Sequence, residues 1–185
     1  MSEGKTRLSS FNNSWYNSGA SFVKRGIWFC FNNVFFCSRF PFNGFKVMLL
    51  RLFGARIGKD VIIRPGVNIK APWFLTIGND VWIGENVWID NLINVSIASN
   101  CCLSQGAMLL TGNHDYTKST FDLITKPIVL EEGVWIGAKA VVCPGVICHS
   151  HALLTVASVA TAHLDAYGIY QGNPAVKVRE RKISG

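Results

Sequence analysis

The stretch "IGNDVWIGENVWIDNLIN", residues 77–94, returns to an isoleucine every six positions. Ile77, Ile83 and Ile89 each open a hexad, and a β-branched residue fills the fifth position of all three hexads. A period of six fits neither the 3.6-residue repeat of a helix nor the alternation of a long strand. It fits short strands joined by tight turns, where Gly, Asn and Asp allow the bends. The stretch therefore predicts one coil of a three-sided solenoid.

The same spacing extends over most of the chain. Hexads group into coils that begin at Ile57, Ile77, Ile97, Leu130 and Cys148. Repeats of this kind mark solenoids, whose stacked coils pair strand on strand at about 4.8 Å. We therefore predict an all-β fold, a parallel β-helix of about five coils. The predicted divisions, in chain order, are an N-terminal helical segment (1–50), the β-helix (51–164) with a loop excursion (111–127), and a short C-terminal tail (165–185).

Composition and charge narrow the class of protein. The 185 residues are 49% hydrophobic and 16% charged, as expected of a folded domain rather than a disordered chain. Residues 1–56 hold eight Lys or Arg against Glu3 alone, which accounts for the whole net charge of +7. The solenoid itself is neutral, so we expect no nucleic-acid partner. The first twenty residues are polar and lack the features of a signal peptide, so the expected setting of the six cysteines is the reducing cytoplasm.

Several motifs resemble those of a known family. "TGNHD" (111–115), "PIVLEEGVWIGAKAVVCPGV" (127–146) and "GIYQGNPAVKVRER" (168–181) are similar to the sugar O-acetyltransferase branch of the hexapeptide-repeat acyltransferases. "RLFGARIGKDVIIRP" (51–65) is most similar to the colanic acid type. The resemblance covers about residues 50–182. It implies a left-handed β-helix, acetyl-CoA as cosubstrate, a sugar or polysaccharide-precursor acceptor, no metal, and a homotrimer with active sites between subunits.

His114 is the candidate catalytic residue. Alone it would be read as a solvated loop histidine, but the resemblance implies that it is the general base for the acceptor hydroxyl. An imidazole, with an ordinary pKa near 6.5, is suited to take a proton from an alcohol at neutral pH. The sequence shows no pattern for an acyl-enzyme, so direct attack on the thioester is the simpler mechanism. The resemblance also implies an oxyanion donor at the backbone N–H of Ala138, where relatives often carry serine.

Polar and aromatic residues near the excursion are candidate acceptor contacts: Trp88, Asp90, Asn91, Asp115, Tyr116 and Phe121. Each has a structural alternative. Asp115 either orients the imidazole or turns the loop, and the corner residues Asp90 and Asn91 either reach the acceptor or satisfy turn amides. The aromatic residues either provide a face for a sugar ring or pack against a neighbouring subunit.

The resemblance also implies coenzyme contacts along adjacent coils: Trp135, Gly137, Ala138, Val156 and Thr161, with Arg179 reaching the phosphates. Ala162 departs from the family pattern, because many relatives carry a lysine there. We expect His163 or Lys177 to substitute for that lysine. "CHSH" (148–151) has the composition of a metal site, but Cys148 and Ala152 are inward repeat positions, which favours a structural role.

The N-terminal segment combines aromatic, aliphatic and basic residues. Residues 20–53 predict one or two amphipathic helices broken near residues 40–44. The favoured interpretation is a cap on the open end of the solenoid. The alternative is peripheral contact with the inner face of the membrane. At the level of function, the alternatives to sugar O-acetylation are acetylation of an amino sugar or small xenobiotic, and a catalytically silent scaffold in polysaccharide assembly.

Overall fold

Short helices precede a column of short strands in the computed structural model, which describes residues 4–184. Helix α1 (Phe22–Phe31) runs into a π-helical turn (Asn32–Phe36), and α2 (Asn43–Leu52) follows. Turns of 3-10 helix lie at Leu8–Ser10 and Pro72–Phe74. The strands, in chain order, are β1 (Arg56–Ile57), β2 (Ile62–Ile63), β3 (Asn68–Ile69), β4 (Leu75–Ile77), β5 (Trp82–Ile83), β6 (Trp88–Asp90), β7 (Val95–Ile97), β8 (Cys102–Leu103), β9 (Met108–Leu110), β10 (Gly112–His114), β11 (Leu123–Thr125), β12 (Ile128–Leu130), β13 (Trp135–Ile136), β14 (Val141–Val142), β15 (Ile147–Cys148), β16 (Leu153–Leu154), β17 (Val159–Ala160), β18 (Gly168–Gly172) and β19 (Ala175–Glu180).

The strands form three parallel sheets that make the three sides of a solenoid. Sheet A has the order β1-β4-β7-β12-β15, and sheet C has the order β17-β14-β9-β6-β3. Sheet B runs β18-β16-β13-β8-β5-β2, with β19 added antiparallel to β18. Because every third strand of the coils returns to the same sheet, the fold is a parallel β-solenoid. The predicted β-helix with an N-terminal helical segment is confirmed.

The strand register confirms the predicted coil starts. Ile57 pairs with Ile77, Ile77 with Ile97, Ile97 with Leu130, and Leu130 with Cys148. The last four of these side chains are buried in the solenoid interior. Each buried aliphatic side chain contributes about 1.5–3 kcal/mol through removal from water. The hexad pattern is therefore the pattern of the core.

The column is longer than the predicted five coils. Leu164 bridges to Cys148, and β18 pairs with β16, which adds part of a further coil and brings the total to about six turns. Strand β19 then folds back along β18. Residues 168–180, within the segment assigned to a tail, thus complete sheet B, because β18 satisfies the backbone groups along the outer edge of β16.

The excursion leaves the column without disturbing it. After β9 the chain forms an antiparallel hairpin, in which Gly112 pairs with Thr125 and His114 with Leu123. The chain returns as β12, which pairs with β7 of the preceding coil. The solenoid therefore acts as a fixed support on which the hairpin projects.

The N-terminal helices cover the first coil. Trp28 Nε1 donates to the Ile69 carbonyl at 2.8 Å, and Asn32 Oδ1 accepts from the Ile69 amide at 3.2 Å. Asn43, the first residue of α2, caps sheet B in the same way, because its side-chain oxygen accepts from the Ile63 amide at 2.7 Å. These contacts satisfy backbone groups that an open solenoid end would leave unpaired. Within residues 4–184, each helix is too short or too polar to cross a bilayer.

Candidate active site

The hairpin of β10 and β11 holds His114 near its tip. His114 Nδ1 lies 2.9 Å from the carbonyl oxygen of Phe121. A carbonyl oxygen only accepts hydrogen bonds, so Nδ1 carries the proton and donates. In a neutral imidazole this leaves the lone pair on Nε2. The ring is partly exposed, so Nε2 is the nitrogen available to a substrate hydroxyl.

Aromatic rings flank the imidazole. The Phe121 ring stacks on it with centroids 4.4 Å apart and an interplanar angle of 7°. Phe11, from the N-terminal segment, packs against it with centroids 5.6 Å apart and a tilt of 60°. The sequence had suggested Phe121 as a face for sugar, whereas its ring is engaged with His114. Phe11 was not identified from the sequence, because its contact joins segments about 100 residues apart without any repeat to signal it.

Asp115 and Tyr116 follow His114, and of these two side chains, within residues 4–184, only that of Asp115 forms hydrogen bonds within the loop. The Asp115 carboxylate accepts from the Thr117 hydroxyl and from the Thr117 amide at 3.0 Å. These bonds lower the pKa of Asp115 below its ordinary value. The geometry is that of an Asx turn, which supports the loop-turning role over the orientation of the imidazole. Tyr116 is 80% exposed and faces solvent in this single chain.

Asp90 and Asn91 lie at the root of the hairpin. The Asp90 carbonyl accepts from Thr111 Oγ1 at 2.9 Å, which ties the second coil to the residue where the excursion begins. Asn91 is fully buried and holds Ala71 through both amide atoms, at 2.9 and 2.6 Å. Its side chain is thus occupied in the structure. Asp90 Oδ1 forms an ion pair with Lys70 Nζ at 2.8 Å, so the lysine already engages this oxygen.

A cavity of about 390 Å³ opens between α1 and these coil corners. Tyr16 closes one side, since its hydroxyl donates to the Leu92 carbonyl at 2.7 Å. The walls of this cavity combine aromatic rings with amide and charged groups: Tyr16, Trp28, Trp73, Trp88, Asn32, Asn68, Lys70 and Asp90. Thr111 hydrogen-bonds to two lining residues, Asp90 and Leu92, and is three residues from His114, a separation of at most about 11 Å. The cavity therefore adjoins the hairpin that bears the imidazole.

The coenzyme candidates follow consecutive coils. Trp135 is partly exposed and donates from Nε1 to Ser104 Oγ at 2.9 Å. A Cβ atom at Gly137 would lie 2.7 Å from the Leu154 carbonyl oxygen, so only glycine fits this coil contact. The carbonyl of Ala138 accepts from Ala157, while its N–H donates to no other described residue. That free N–H fits the expected oxyanion donor.

A second cavity, of about 300 Å³, surrounds Ala162. Thr161 and His163 line it, and so does Lys126, a residue not predicted from the sequence. Lys126 lies one 18-residue coil before Pro144 and two before Ala162, as the register of neighbouring strands shows. This coil spacing is the signal that would have found it.

The two expected substitutes for the family lysine differ in their freedom. His163 Nδ1 accepts from the Ile147 amide at 3.0 Å, so its other nitrogen remains free to donate. Lys177 instead pairs with Asp165 at 3.4 Å and with Glu180 at 2.8 Å. Arg179 is exposed on β19, opposite Ile169 of β18. Lys126 and His163 are thus better placed than Lys177 at Ala162.

The residues of "CHSH" (148–151) lie in different environments and contact different partners. Cys148 is buried in the core, whereas His149 pairs with Glu131 at 3.1 Å. That hydrogen bond holds the pKa of Glu131 below its ordinary value. His151 packs against Tyr167. Over residues 4–184, no three His, Cys, Asp or Glu side chains gather as a group that could hold a metal ion.

Comparison with known proteins identifies relatives along nearly the full length of the chain. No protein-family model matches it. The chain is 36% identical over 164 residues to WcaF of Escherichia coli K12, named as a colanic acid biosynthesis acetyltransferase, covering 88% of this chain and 90% of WcaF.

Solved structures share the fold. A hexapeptide-repeat acetyltransferase of Vibrio cholerae in complex with acetyl-CoA superimposes with a TM-score of 0.79 at 22% identity, covering 89% of this chain and 92% of that one. A galactoside acetyltransferase in complex with coenzyme A gives 0.77 at 21% identity, covering 86% and 82%. With the relationship to WcaF, the chain belongs to the hexapeptide-repeat acetyltransferases, enzymes that take their acetyl group from acetyl-CoA.

Proposed function

We propose that this protein transfers an acetyl group from acetyl-CoA to a hydroxyl of a sugar or polysaccharide precursor, with His114 as general base. The observation that carries the proposal is the 2.9 Å contact between His114 Nδ1 and the Phe121 carbonyl. It fixes the tautomer in which Nε2 accepts a proton. A catalytic base needs that lone pair on the exposed side of the ring.

The chemistry follows from this arrangement. Nε2 removes the acceptor's hydroxyl proton while the oxygen attacks the thioester carbonyl carbon. The oxyanion that forms accepts a hydrogen bond from the N–H of Ala138, which has no acceptor among the described residues. The intermediate then collapses, the C–S bond breaks, and the leaving thiolate takes the proton from the imidazolium. Acetyl ester and free coenzyme thiol are the products.

The cavity beside α1 supports a saccharide acceptor. Sugars present apolar C–H faces that stack on aromatic rings, and hydroxyls that need fixed donors and acceptors. Trp73 and Trp88 supply rings, and the ion pair of Lys70 and Asp90 at the cavity wall supplies charged polar groups. Asn91, which is committed to Ala71, acts by holding the coil corner rather than by touching the acceptor.

The coenzyme lies, in this proposal, along Trp135, Gly137, Ala138 and Val156, with its phosphates toward Thr161. Lys126 supplies the positive charge that Ala162 lacks, and His163 adds a donor. Lysine binds phosphate as a point charge from any direction, so a lysine two coils away can replace a local one. Arg179, exposed on β19, is free to contribute further charge.

The test is release of free coenzyme A from acetyl-CoA across a panel of saccharide acceptors, amino sugars and small aromatic alcohols. We expect release that depends on a saccharide, and a product ester that hydroxylamine cleaves. A hydroxylamine-stable product would instead identify N-acetylation of an amino sugar. Absence of turnover with every acceptor, together with absence of coenzyme binding by calorimetry, would contradict the proposal and favour the silent scaffold.

We further propose a homotrimer with active sites between subunits. Trp82 and Trp135 expose 60% and 42% of their surfaces on sheet B of the single chain, where they stack above and below Cys102. Exposed tryptophans in a row favour burial by another chain. Light scattering should give a mass near three times 20.4 kDa. A monomer mass would contradict this arrangement.

We also propose that the outer face of the N-terminal helices contacts an anionic membrane surface. Phe22, Val23 and Phe29 are 81%, 66% and 68% exposed, while Trp28 on the same helix is buried against the solenoid. Lys24 and Arg25 follow on the same helix, and residues 1–56 account for the whole net charge of +7. Apolar side chains beside basic ones are the signature of an interfacial helix. The same helix can thus cap the solenoid and face lipid.

Substitution tests the membrane contact without removing the cap. The Phe22→Ser/Phe29→Ser variant leaves the inward-facing Trp28 intact. We expect the wild type to sediment with phosphatidylglycerol vesicles and the variant to remain in solution, with little binding of either to phosphatidylcholine. Equal behaviour of the two proteins on phosphatidylglycerol vesicles would contradict the contact.

A further inference from the structure

We infer that Phe121 and Phe11 act as positioning residues that clamp the imidazole of His114, and that the N-terminal strap, residues 7–11, is part of the active site. The inference rests on the proposed role of His114 as general base. It assigns a catalytic task to a segment that lies about 100 residues before the hairpin. It also gives Phe121 a different role from that of a sugar platform.

Phe121 engages His114 twice. Its carbonyl oxygen accepts from Nδ1 at 2.9 Å, and its ring lies parallel to the imidazole at 4.4 Å. The residue achieves both with a φ of 52°, in the left-handed region that phenylalanine rarely adopts. Such a conformation is strained and persists where surrounding contacts impose it. Here the imposed conformation turns ring and carbonyl toward the same histidine.

Phe11 closes a second side of the imidazole. Its ring centroid lies 5.6 Å from that of His114, tilted by 60°. The strap is held on the hairpin by a backbone bond from the Arg7 amide to the Ser119 carbonyl at 2.7 Å. A further bond, from the Phe11 amide to the Leu8 carbonyl at 3.1 Å, closes the 3-10 turn that aims the Phe11 ring. The strap therefore carries Phe11 to the histidine by defined contacts.

The clamp has a consequence for catalysis. A histidine on an exposed hairpin would otherwise sample several χ1 and χ2 values, and only some of them aim Nε2 at the acceptor. Contacts on two sides select one orientation in advance of substrate binding, which is the kind of pre-organisation that proximity effects need. When the ring takes up a proton, the π face of Phe121 also faces the new cation, a favourable arrangement.

The clamp can be tested by exchanging rings at fixed hydrophobicity. Phe121→Leu and Phe11→Leu remove an aromatic ring and keep an apolar side chain, while Phe121→Tyr keeps the ring. Phe42→Leu, at the exposed residue that precedes α2, is the matched control. We expect kcat to fall by about 10- to 100-fold in Phe121→Leu, as a displaced catalytic group would. KM for acetyl-CoA should stay near the wild-type value, Phe121→Tyr should restore kcat, and the control should match wild type.

A spectroscopic measurement separates the clamp from the chemistry. Imidazole ¹⁵N shifts of His114, assigned by their loss in His114→Ala, report the tautomer without any turnover. We expect a single Nδ1–H tautomer in the wild type and a partly averaged signal in Phe121→Leu, because loss of the stacked ring lets the imidazole rotate away from the carbonyl that residue 121 retains. If His114→Ala remains active although the wild type shows the single Nδ1–H tautomer, the proposed base is wrong and the clamp is only structural. If His114→Ala is inactive but Phe121→Leu keeps kcat and tautomer, the clamp is wrong and the base stands.

Discussion

Gly137 lies against the next coil so closely that a Cβ atom there would approach the carbonyl oxygen of Leu154 to 2.7 Å. The obstacle is backbone, which cannot rotate away as a flexible side chain would. We predict that Gly137→Ala destabilises the protein by about 1–3 kcal/mol through this overpacking. Gly26→Ala is the control, because the added methyl group there meets open space inside helix α1. It should stabilise by about 0.5–1 kcal/mol. Thermal denaturation of both variants measures the difference, and equal melting temperatures would refute the coil contact.

Asn32 provides a test of the cap. Its side chain donates to Asn68 Oδ1 at 2.7 Å and accepts from the Ile69 amide at 3.2 Å. Asn32→Ala leaves these partly buried partners unpaired, so we predict a loss of about 1–3 kcal/mol. Asn33→Ala, at the exposed neighbour, should change stability by less than about 0.5 kcal/mol. Denaturant titration checks both, and an unchanged midpoint for Asn32→Ala would mean that the helices cap the solenoid by hydrophobic contact alone.

Lys126 tests the proposed coenzyme phosphate contact. We predict that Lys126→Ala raises KM for acetyl-CoA by about tenfold, the equivalent of about 1.4 kcal/mol, and leaves kcat nearly unchanged. The effect should shrink as salt screens the charge. Lys59→Ala, exposed on the first coil, is the matched loss of one positive charge. Steady-state kinetics of both variants at two salt concentrations measure these KM values. Identical KM values for the two variants would exclude Lys126 as a phosphate contact.

Burial of thiols predicts a dependence of stability on alkaline pH. Burial raises the pKa of Cys101 to about 11 and that of Cys148 to about 12, from an ordinary 9.0. Between pH 9 and these values the unfolded chain loses thiol protons that the folded chain keeps. The free energy of unfolding should therefore fall as pH rises above 9. Cys148→Ala should show a slope flatter by up to about 1.4 kcal/mol per pH unit, measured by urea titration from pH 8 to 10.5. Parallel profiles would contradict the assignment.

The repeat made the solenoid predictable, and the reason is geometric. Each coil start must point inward, so Ile77, Ile97, Leu130 and Cys148 reveal both the core and the register. The last turn escaped prediction because β18 continues sheet B after the hexad pattern has faded. Pairing of backbone groups, unlike burial of side chains, leaves little mark on the sequence.

The positions of site residues on the solenoid coils could be predicted from the sequence, whereas the contacts made by the hairpin were less predictable. Asp90 pairs with Leu110 of the next coil, one 20-residue repeat later, so coil stacking alone predicts its position near the root of the excursion. Its neighbour Asn91 has the same polar character in the sequence, yet it is buried and bonded to Ala71. The contacts of Phe11 and Phe121 with His114 depend on long-range packing and on an unusual φ, which have no period. Local sequence therefore identified the candidate base but not the contacts that hold it.

The most direct measurement is the rate of coenzyme A release with a saccharide acceptor, compared between the wild type and His114→Ala. Loss of the general base should lower kcat/KM by about 10²- to 10⁴-fold. Binding of coenzyme A, measured by calorimetry, should be unchanged, because the substitution leaves intact the coenzyme candidates of the solenoid and Lys126 at the base of the hairpin. A His114→Ala enzyme that releases coenzyme A at the wild-type rate would contradict the central claim.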